Sequence, residues 1–214
     1  TGLGLKIGAG LVSLAGGSVI LTLMFTMVAS IILGMGTPTT ANYIITSTIT
    51  APAIVAVGMA VDMPIPLIAA HMFAFYFGIV ADITPPVCLA AMAGSAIAKS
   101  RPIMTGVEAT KISIAAFLIP YIFVYNPEIL MVDTNFIEVA SIILTSLIGM
   151  IGIGSALEGW FMTHTNVLER IMCAAGGLCL IVPGLVTDIS GALLIGIPFL
   201  LNYRKYREEK AAII

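Results

Sequence analysis

Two short, almost uncharged stretches hold the residues whose types and spacing could do chemistry in this chain. They are GMGTPTT, residues 34–40, and ADITPPV, residues 81–87. Each combines hydroxyls with a helix-breaking proline. Freed carbonyls and hydroxyls can coordinate a sodium ion, and freed amides at a helix N-terminus can bind an anion. The groups on offer are the hydroxyls of Thr37, Thr39, Thr40 and Thr84, the backbone of Gly34 and Gly36, the Asp82 carboxylate, and the carbonyls before Pro85 and Pro86.

Three side chains within apolar runs need individual interpretation. Asp82 could be a cation ligand or a protonatable coupling site, because an ionisable group in such a run is costly and indicates function; alternatively, it caps the following half-helix or pairs with a neighbouring amide. Asn42 could face the first stretch or satisfy a backbone carbonyl. His71 is interpreted as a hydrogen-bonded packing residue.

The composition is that of an integral membrane protein. Hydrophobic residues make up 59% of the 214 residues and charged residues 9%, and the mean hydropathy is +1.12. A net charge of -2 argues against nucleic acid as a partner. The three cysteines lack metal-ligand or disulfide spacing. We expect no enzyme, because neither Asp62 in VDMP nor Asp82 in VADIT has the setting of an intramembrane aspartyl protease, and no hydrolase or redox constellation is present.

The apolar runs define the elements that must position these groups. Residues 65–98 would form a helix of about 50 Å, against a hydrocarbon core of about 30 Å. Pro85 and Pro86 therefore predict an unwound segment at 82–86, which is tolerated at membrane depth only inside protein or beside a watery cavity. The remaining runs are 18–34, 39–60, 107–125, 136–157, 168–183 and 189–203, of which the last four are predicted spans.

The first stretch joins runs 18–34 and 39–60, and it has two interpretations. It is either a cytoplasmic loop between two ordinary spans or the tip of a re-entrant hairpin at membrane depth. The short first limb and the uncharged tip favour the hairpin. Thr37 is predicted as the N-cap and Pro38 as the first residue of the second limb. The basic segment RKYREEK, after the last run, predicts a cytoplasmic C-terminus.

The stretches LGMGTPTTANYI and FGIVADITPPVCLAA resemble the large membrane subunit of the tripartite ATP-independent periplasmic (TRAP) transporters. The segments TGVEATKISIAAFLIPYIFVYNPEIL and LERIMCAAGGLCLIVPGLVTDISG are similar to the fused permeases that work with TAXI-type binding proteins. The resemblance implies an all-α polytopic membrane protein that is one half of an inverted-repeat elevator transporter. The implied parts are an amphipathic arm (1–17), a hairpin (18–62, tip 34–40), a broken helix (63–99, break 82–86), a transmembrane helix and outer loop (100–135), and C-terminal helices with a cytoplasmic tail (136–214).

The resemblance also implies the site residues. Relatives often carry a leucine or glycine where this chain has Ala81 and Asp82, which leaves sodium and proton coupling both open. The implied cation-binding residues are Gly34, Gly36, Thr37, Thr39, Ala81, Asp82, Thr84 and Pro85. The implied substrate contacts are Thr39, Thr40, Asn42 and Pro86.

The implied activity is import of a small organic anion, a dicarboxylate or glutamate-like acid, across a bacterial or archaeal inner membrane. The expected partners are a periplasmic TAXI-type binding protein, a small-subunit portion and the lipid bilayer; no cofactor is expected besides Na+ or H+. The chain is expected to be a C-terminal fragment. The competing hypotheses are a divalent-anion symporter, whose usual Ser-Asn-Thr tip is absent, and a non-transporting membrane scaffold.

Overall fold

Helices form the regular structure of this chain in a computed structural model that describes residues 2–132, 134–182 and 184–213. Within those ranges an isolated bridge between Trp160 and His164 is the sole β pairing. The chain divides into two units, Thr1–Leu130 and Met131–Ile214. The expected all-α, polytopic membrane fold is confirmed.

The first unit contains the segments for which a hairpin and a broken helix are predicted. Residues 35–38 join the two limbs of the hairpin, and non-helical residues 81–88 separate the two pieces of the broken helix. A 3-10 turn follows the last helix of the unit. The helices are α1 (Leu3–Leu14), α2 (Val19–Gly34), α3 (Thr39–Ala60), α4 (Leu67–Val80), α5 (Leu89–Ala98), α6 (Pro102–Ile112) and α7 (Ile114–Tyr125).

Buried hydroxyls line the seam between α2 and α3. Thr26 and Thr50 are fully buried, and each hydroxyl donates to a carbonyl one turn back in its own helix, at 2.8 Å. Ser30 Oγ reaches across the seam to Thr50 Oγ1 at 3.3 Å. Small side chains whose polar atoms are satisfied within their own helix allow two helices to approach closely in an apolar setting. The abundance of hydroxyls in this hairpin is therefore explained in part by packing.

Aromatic side chains of α4 form the centre of the first unit. Phe73 and Phe77 are fully buried, with ring centroids 4.8 Å apart. Tyr121 of α7 packs edge-on against both rings, at 5.3 and 5.9 Å. Such edge-to-face pairs fix ring positions as well as burying apolar area. The helix that leads into the break is thus held from several sides.

The second unit contains three helices with close backbone contacts: α8 (Phe136–Glu158), α9 (Val167–Ile181) and α10 (Leu185–Ile213). A Cβ added at Gly149 would lie 2.9 Å from the Gly177 carbonyl oxygen, and one added at Gly176 would lie 2.9 Å from that of Gly191. These contacts require glycine. The expected cytoplasmic tail is not a separate segment, since RKYREEK continues α10.

Polar contacts gather at one end of the second unit. Asn202 is fully buried, and its side-chain oxygen accepts from the amides of Met162 and Thr163, both at 2.9 Å. Lys205 pairs with Glu169 at 2.6 Å. The Asn202 contacts tie the loop between α8 and α9 to α10 and satisfy backbone amides that the loop would otherwise leave unpaired. The ion pair joins α10 to α9.

Two of the predicted membrane spans are not single helices of sufficient length in the structure. Run 107–125 was expected to be one span, but α6 and α7 meet at a 43° bend. Run 168–183 was also expected to span, but α9 has 15 residues, fewer than the about 20 that a span needs. Among the described residues, three helices are long and apolar enough to cross a membrane: Thr39–Ala60, Phe136–Glu158 and Leu185–Glu208. The bent pair Pro102–Ile112 and Ile114–Tyr125 adds a fourth if the two helices count as one span.

The glycine contact between α8 and α9 predicts a stability difference. We expect Gly149→Ala to lower the free energy of unfolding by about 1–3 kcal/mol, because the new methyl would press on backbone. Gly154→Ala on the same helix has open space around its Cβ, and we expect it to be neutral or to stabilise by up to about 1 kcal/mol. Thermal unfolding in detergent measures both, and equal losses in the two variants would contradict the packing account.

Candidate functional site

The hairpin tip is built around the carbonyl at the end of α2. Pro38 has no amide to donate to the Gly34 carbonyl four residues back, and Gly36 turns the chain with φ 74, a region that favours glycine. The Gly34 carbonyl instead accepts from the Thr37 amide at 3.3 Å and from the Thr37 hydroxyl at 3.1 Å. The proline therefore ends α2 and leaves its last carbonyl with replacement donors.

The prediction that Thr37 is the N-cap of α3 is wrong. The N-cap residue is Pro38, and no side chain caps this helix. Because the Thr37 hydroxyl turns back to Gly34, it is not available to the first amides of α3. Thr39 and Thr40 follow as exposed residues. The first amides of α3 are therefore accessible from outside the unit.

The break between α4 and α5 is organised by its two prolines. Pro85 has no amide for the Ala81 carbonyl, and Pro86 has none for that of Asp82. The Asp82 carbonyl is used instead by the Ala90 amide at 3.0 Å. The Thr84 hydroxyl donates to Val80 at 2.7 Å. The Ala81 carbonyl therefore stands out as a backbone acceptor that has lost its helical donor.

Asp82 carries the only acidic side chain of this break. It is half-buried, and within the described ranges its carboxylate makes no hydrogen bond and no ion pair. The structure does not bear out the alternative that it caps the second half-helix, since the N-cap of α5 is Cys88, in a left-handed conformation with φ 31. The carboxylate is thus uncommitted in a segment where charge is costly.

Asn42 connects the tip to the broken helix. Its side chain is 1% exposed, and its amide nitrogen donates to the carbonyls of Gly34 at 3.3 Å and Gly78 at 2.7 Å. Both alternatives for Asn42 hold in this structure, because one of the two carbonyls that it satisfies belongs to Gly34 at the start of the tip. The ends of α2 and α4 therefore meet at a side chain from α3.

Other predicted site residues are not brought into direct contact. In the described part of the chain, no hydrogen bond joins Thr37, Thr39 or Thr40 to residues 81–86. His71 instead pairs with Tyr43, whose hydroxyl lies 2.9 Å from Nδ1. The two predicted halves of the site are thus linked through backbone and Asn42 rather than through their hydroxyls.

The sequence analysis missed three residues that support the break. Gly78 allows the approach of Asn42. The Thr110 hydroxyl of α6 donates to the Ile83 carbonyl at 3.2 Å, and a Cβ at Gly106 would lie 2.7 Å from Cys88 Sγ. The sequence does show small and hydroxyl residues within apolar helices, and such residues mark close packing. This pattern does not indicate which residue of another helix each of them contacts.

The bond from Thr110 predicts a measurable loss. Thr110→Val keeps the shape of the side chain but removes a hydroxyl whose one hydrogen is shared between the Gly106 carbonyl at 2.9 Å and the Ile83 carbonyl at 3.2 Å. We therefore expect the free energy of unfolding to fall by about 1 kcal/mol. The matched control is Thr105→Val on the same helix, whose hydroxyl contacts exposed Ser100 and Arg101. We expect a change below about 0.5 kcal/mol there. Thermal unfolding compares them, and a control loss as large as that of Thr110→Val would refute the support role.

Comparison with known proteins agrees with this architecture. A family model described as "Tripartite ATP-independent periplasmic transporter, DctM component" matches residues 1–138, more than half of the chain, including the hairpin and the break. Searches of curated proteins and of solved structures gave no significant match. Transporters of this family work with a periplasmic substrate-binding protein and a small membrane subunit.

This match confirms the resemblance to the large membrane subunit of the TRAP transporters. The DctM component is a transporter component and not an enzyme, and with the spans above it indicates a multi-pass inner-membrane protein. The chain belongs to the family of large membrane components of the TRAP secondary transporters.

Proposed function

We propose that this chain supplies a cation and substrate site to a TRAP transporter that imports a small organic anion. The observation that carries the proposal is the junction of two interrupted, oxygen-rich segments within one unit, with Asn42 donating to both Gly34 and Gly78. Interrupted helices that meet in this way are the usual means by which transporters bind ions and substrates at membrane depth. A scaffold would need neither the open tip nor the uncommitted carboxylate.

The cation proposal rests on oxygen atoms at helix C-termini. The carbonyl ends of α2 and α4 carry the negative ends of their helix dipoles, and both point to the region around the Asn42 side chain. The Ala81 carbonyl lacks its helical donor, and the Asp82 carboxylate is unpaired in the described ranges. The proposed cation-binding residues are Gly34, Gly36, Thr37, Thr39, Ala81, Asp82, Thr84 and Pro85.

The substrate proposal rests on the other ends of the helices. Thr39 and Thr40 are exposed at the N-terminus of α3, where free amides favour an anion. Pro86 is exposed in the break. The expected contact of Asn42 with substrate stays a prediction, and in this structure its amide nitrogen is already engaged with two carbonyls.

The driving ion and the transport cycle complete the proposal. Sodium suits a site made of carbonyls and hydroxyls, and Asp82 adds a group that could carry a proton instead. We propose a small dicarboxylate or glutamate-like acid as substrate, delivered by a TAXI-type binding protein, and a cytoplasmic C-terminus at the basic end of α10. The cycle would be an elevator with inverted repeats, in which a second hairpin and broken helix come from elsewhere in the complete transporter.

Cysteine labelling tests the position of the tip. In a transporter whose three native cysteines are replaced, we expect Thr39→Cys to react with a small aqueous maleimide, and sodium to slow that reaction several-fold by ordering the tip. The matched control is Thr48→Cys, which is also exposed on α3 but lies well beyond the tip. We expect lipid to cover it in the assembled transporter, so that the reagent does not reach it. A Thr39→Cys that stays inert under all conditions would remove the tip from the transport site.

Substitution of the break carboxylate tests coupling. We expect Asp82→Asn to abolish uptake or change its ion dependence, because it removes both the charge and the protonatable group while it keeps the shape. Uptake of radiolabelled glutamate and succinate into proteoliposomes, under an imposed sodium or proton gradient, provides the measurement.

The control for this experiment is Asp62→Asn in the exposed turn after α3, where the residue has φ 55. Asparagine tolerates this left-handed conformation, so we expect unchanged uptake. If Asp82→Asn also retains uptake with the same ion dependence, Asp82 has no part in the mechanism.

A further inference from the structure

The side chain of Asn42 is only half satisfied. Its amide nitrogen makes two hydrogen bonds, but its amide oxygen is buried and has no partner in the described part of the chain. A buried acceptor without a donor costs free energy comparable to a lost hydrogen bond. A residue retained at this cost needs an explanation beyond filling space.

The junction leaves one of its acceptors, the Asn42 amide oxygen, without a donor among the described residues. The carbonyls of Gly34 and Gly78 and the Asn42 amide oxygen meet here, and among the described residues only the Asn42 amide and Thr37 donate to them. The three bonds to the Gly34 carbonyl are 3.1 to 3.3 Å long, at or beyond the long end of the ordinary range. The Gly34 carbonyl is therefore held by several weak donors and not locked by one strong bond.

Both glycines are required by the asparagine. A Cβ at Gly34 would lie 2.7 Å from Asn42 Nδ2, and a Cβ at Gly78 would lie 2.5 Å from Asn42 Oδ1. The three nearest atoms to the Gly78 Cβ position all belong to the Asn42 side chain. The Asn42 amide therefore lies against both glycines, and a Cβ at Gly34 would also lie 2.8 Å from the Gly78 carbonyl oxygen, so the ends of α2 and α4 are close at this point.

We propose that Asn42 is a positioning residue that sets the cation affinity of the site by fixing the Gly34 carbonyl relative to the end of α4. The inference rests on the cation site of the proposed function. It adds Asn42 as a residue that does not bind the cation itself but positions a proposed ligand. Gly34 is itself a proposed ligand, and Gly78 lies three residues before Ala81. The side-chain amide of Asn42 therefore bonds to one carbonyl in the hairpin and to one carbonyl in the broken helix.

The mechanism follows from the two hydrogen bonds. With Asn42 in place, the carbonyls at the ends of two helices are held close together although their partial charges repel. Without the amide nitrogen, that repulsion separates them, and a cation would first have to draw them together again. Removal of the Asn42 amide therefore lowers the affinity for the cation and leaves the number of cation sites unchanged.

Equilibrium binding of radioactive sodium to the assembled transporter in lipid nanodiscs tests this inference. We expect Asn42→Ala to raise the sodium concentration for half-saturation by about tenfold, or about 1.4 kcal/mol, with unchanged binding at saturation. A purely structural role would lower the amount of binding at saturation and leave half-saturation unchanged. The control is Thr46→Val, a buried neighbour one turn along α3 whose hydroxyl bonds only to carbonyls of its own helix.

A double substitution gives an independent check. We expect Gly78→Ala to weaken sodium binding as well, because its Cβ displaces the Asn42 amide. In the double variant Asn42→Ala with Gly78→Ala, the atoms that this Cβ would meet are gone. We therefore expect the double variant to bind sodium no more weakly than Asn42→Ala alone, a non-additivity in affinity that unrelated packing defects would not produce.

The outcomes separate this inference from the function on which it rests. Unchanged half-saturation in both Asn42→Ala and Gly78→Ala overturns the inference and leaves the proposed function standing. Absence of saturable sodium binding to the unmodified transporter overturns the sodium proposal, and this inference with it. If Asn42→Ala does not fold, Asn42→Ser retains one donor, and we expect a smaller shift in the same direction; no shift overturns the inference.

Discussion

The need to give every backbone carbonyl a partner in an apolar environment governs this structure. Water does not supply donors in the hydrocarbon core, so a chain that interrupts a helix there must provide replacements. Pro38 removes the donor to Gly34, and the Thr37 hydroxyl and the Asn42 amide replace it. At the other break, the Ala90 amide takes the Asp82 carbonyl, while the Ala81 carbonyl lacks its helical donor. The Ala81 carbonyl, which has no replacement donor among the described residues, and the Gly34 carbonyl, whose replacement bonds are long, are the oxygens that a cation could use.

Close packing makes those replacements effective. Helices that meet at glycine bring their backbones within reach of a single side chain, as Asn42 shows between Gly34 and Gly78. The aromatic cluster around Phe73 and Phe77 holds α4 in place, so the end of that helix is a fixed reference for the tip. The hairpin, in contrast, has small side chains along its seam.

The sequence predicted the interruptions better than it predicted their partners. Adjacent prolines at 85 and 86 remove two neighbouring donors and mark a break reliably, and the break was found at residues 81–88. Single prolines are weaker signals, because α3 continues through Pro52 and α7 through Pro120. The bend at Ser113 has no such marker. The contact of Asn42 with Gly78 joins residues far apart in the chain, and a helical pattern alone does not say which residue of another helix a buried amide will reach.

The central claim is that the hairpin tip and the break form one cation site within the membrane. Maps of the assembled transporter in lipid nanodiscs, recorded once in sodium and once in potassium, test it most directly. The account predicts density between the carbonyls of Gly34 and Ala81 in sodium alone, with the tip inside the hydrocarbon layer. A tip at the membrane surface, or an empty junction in both salts, would contradict it.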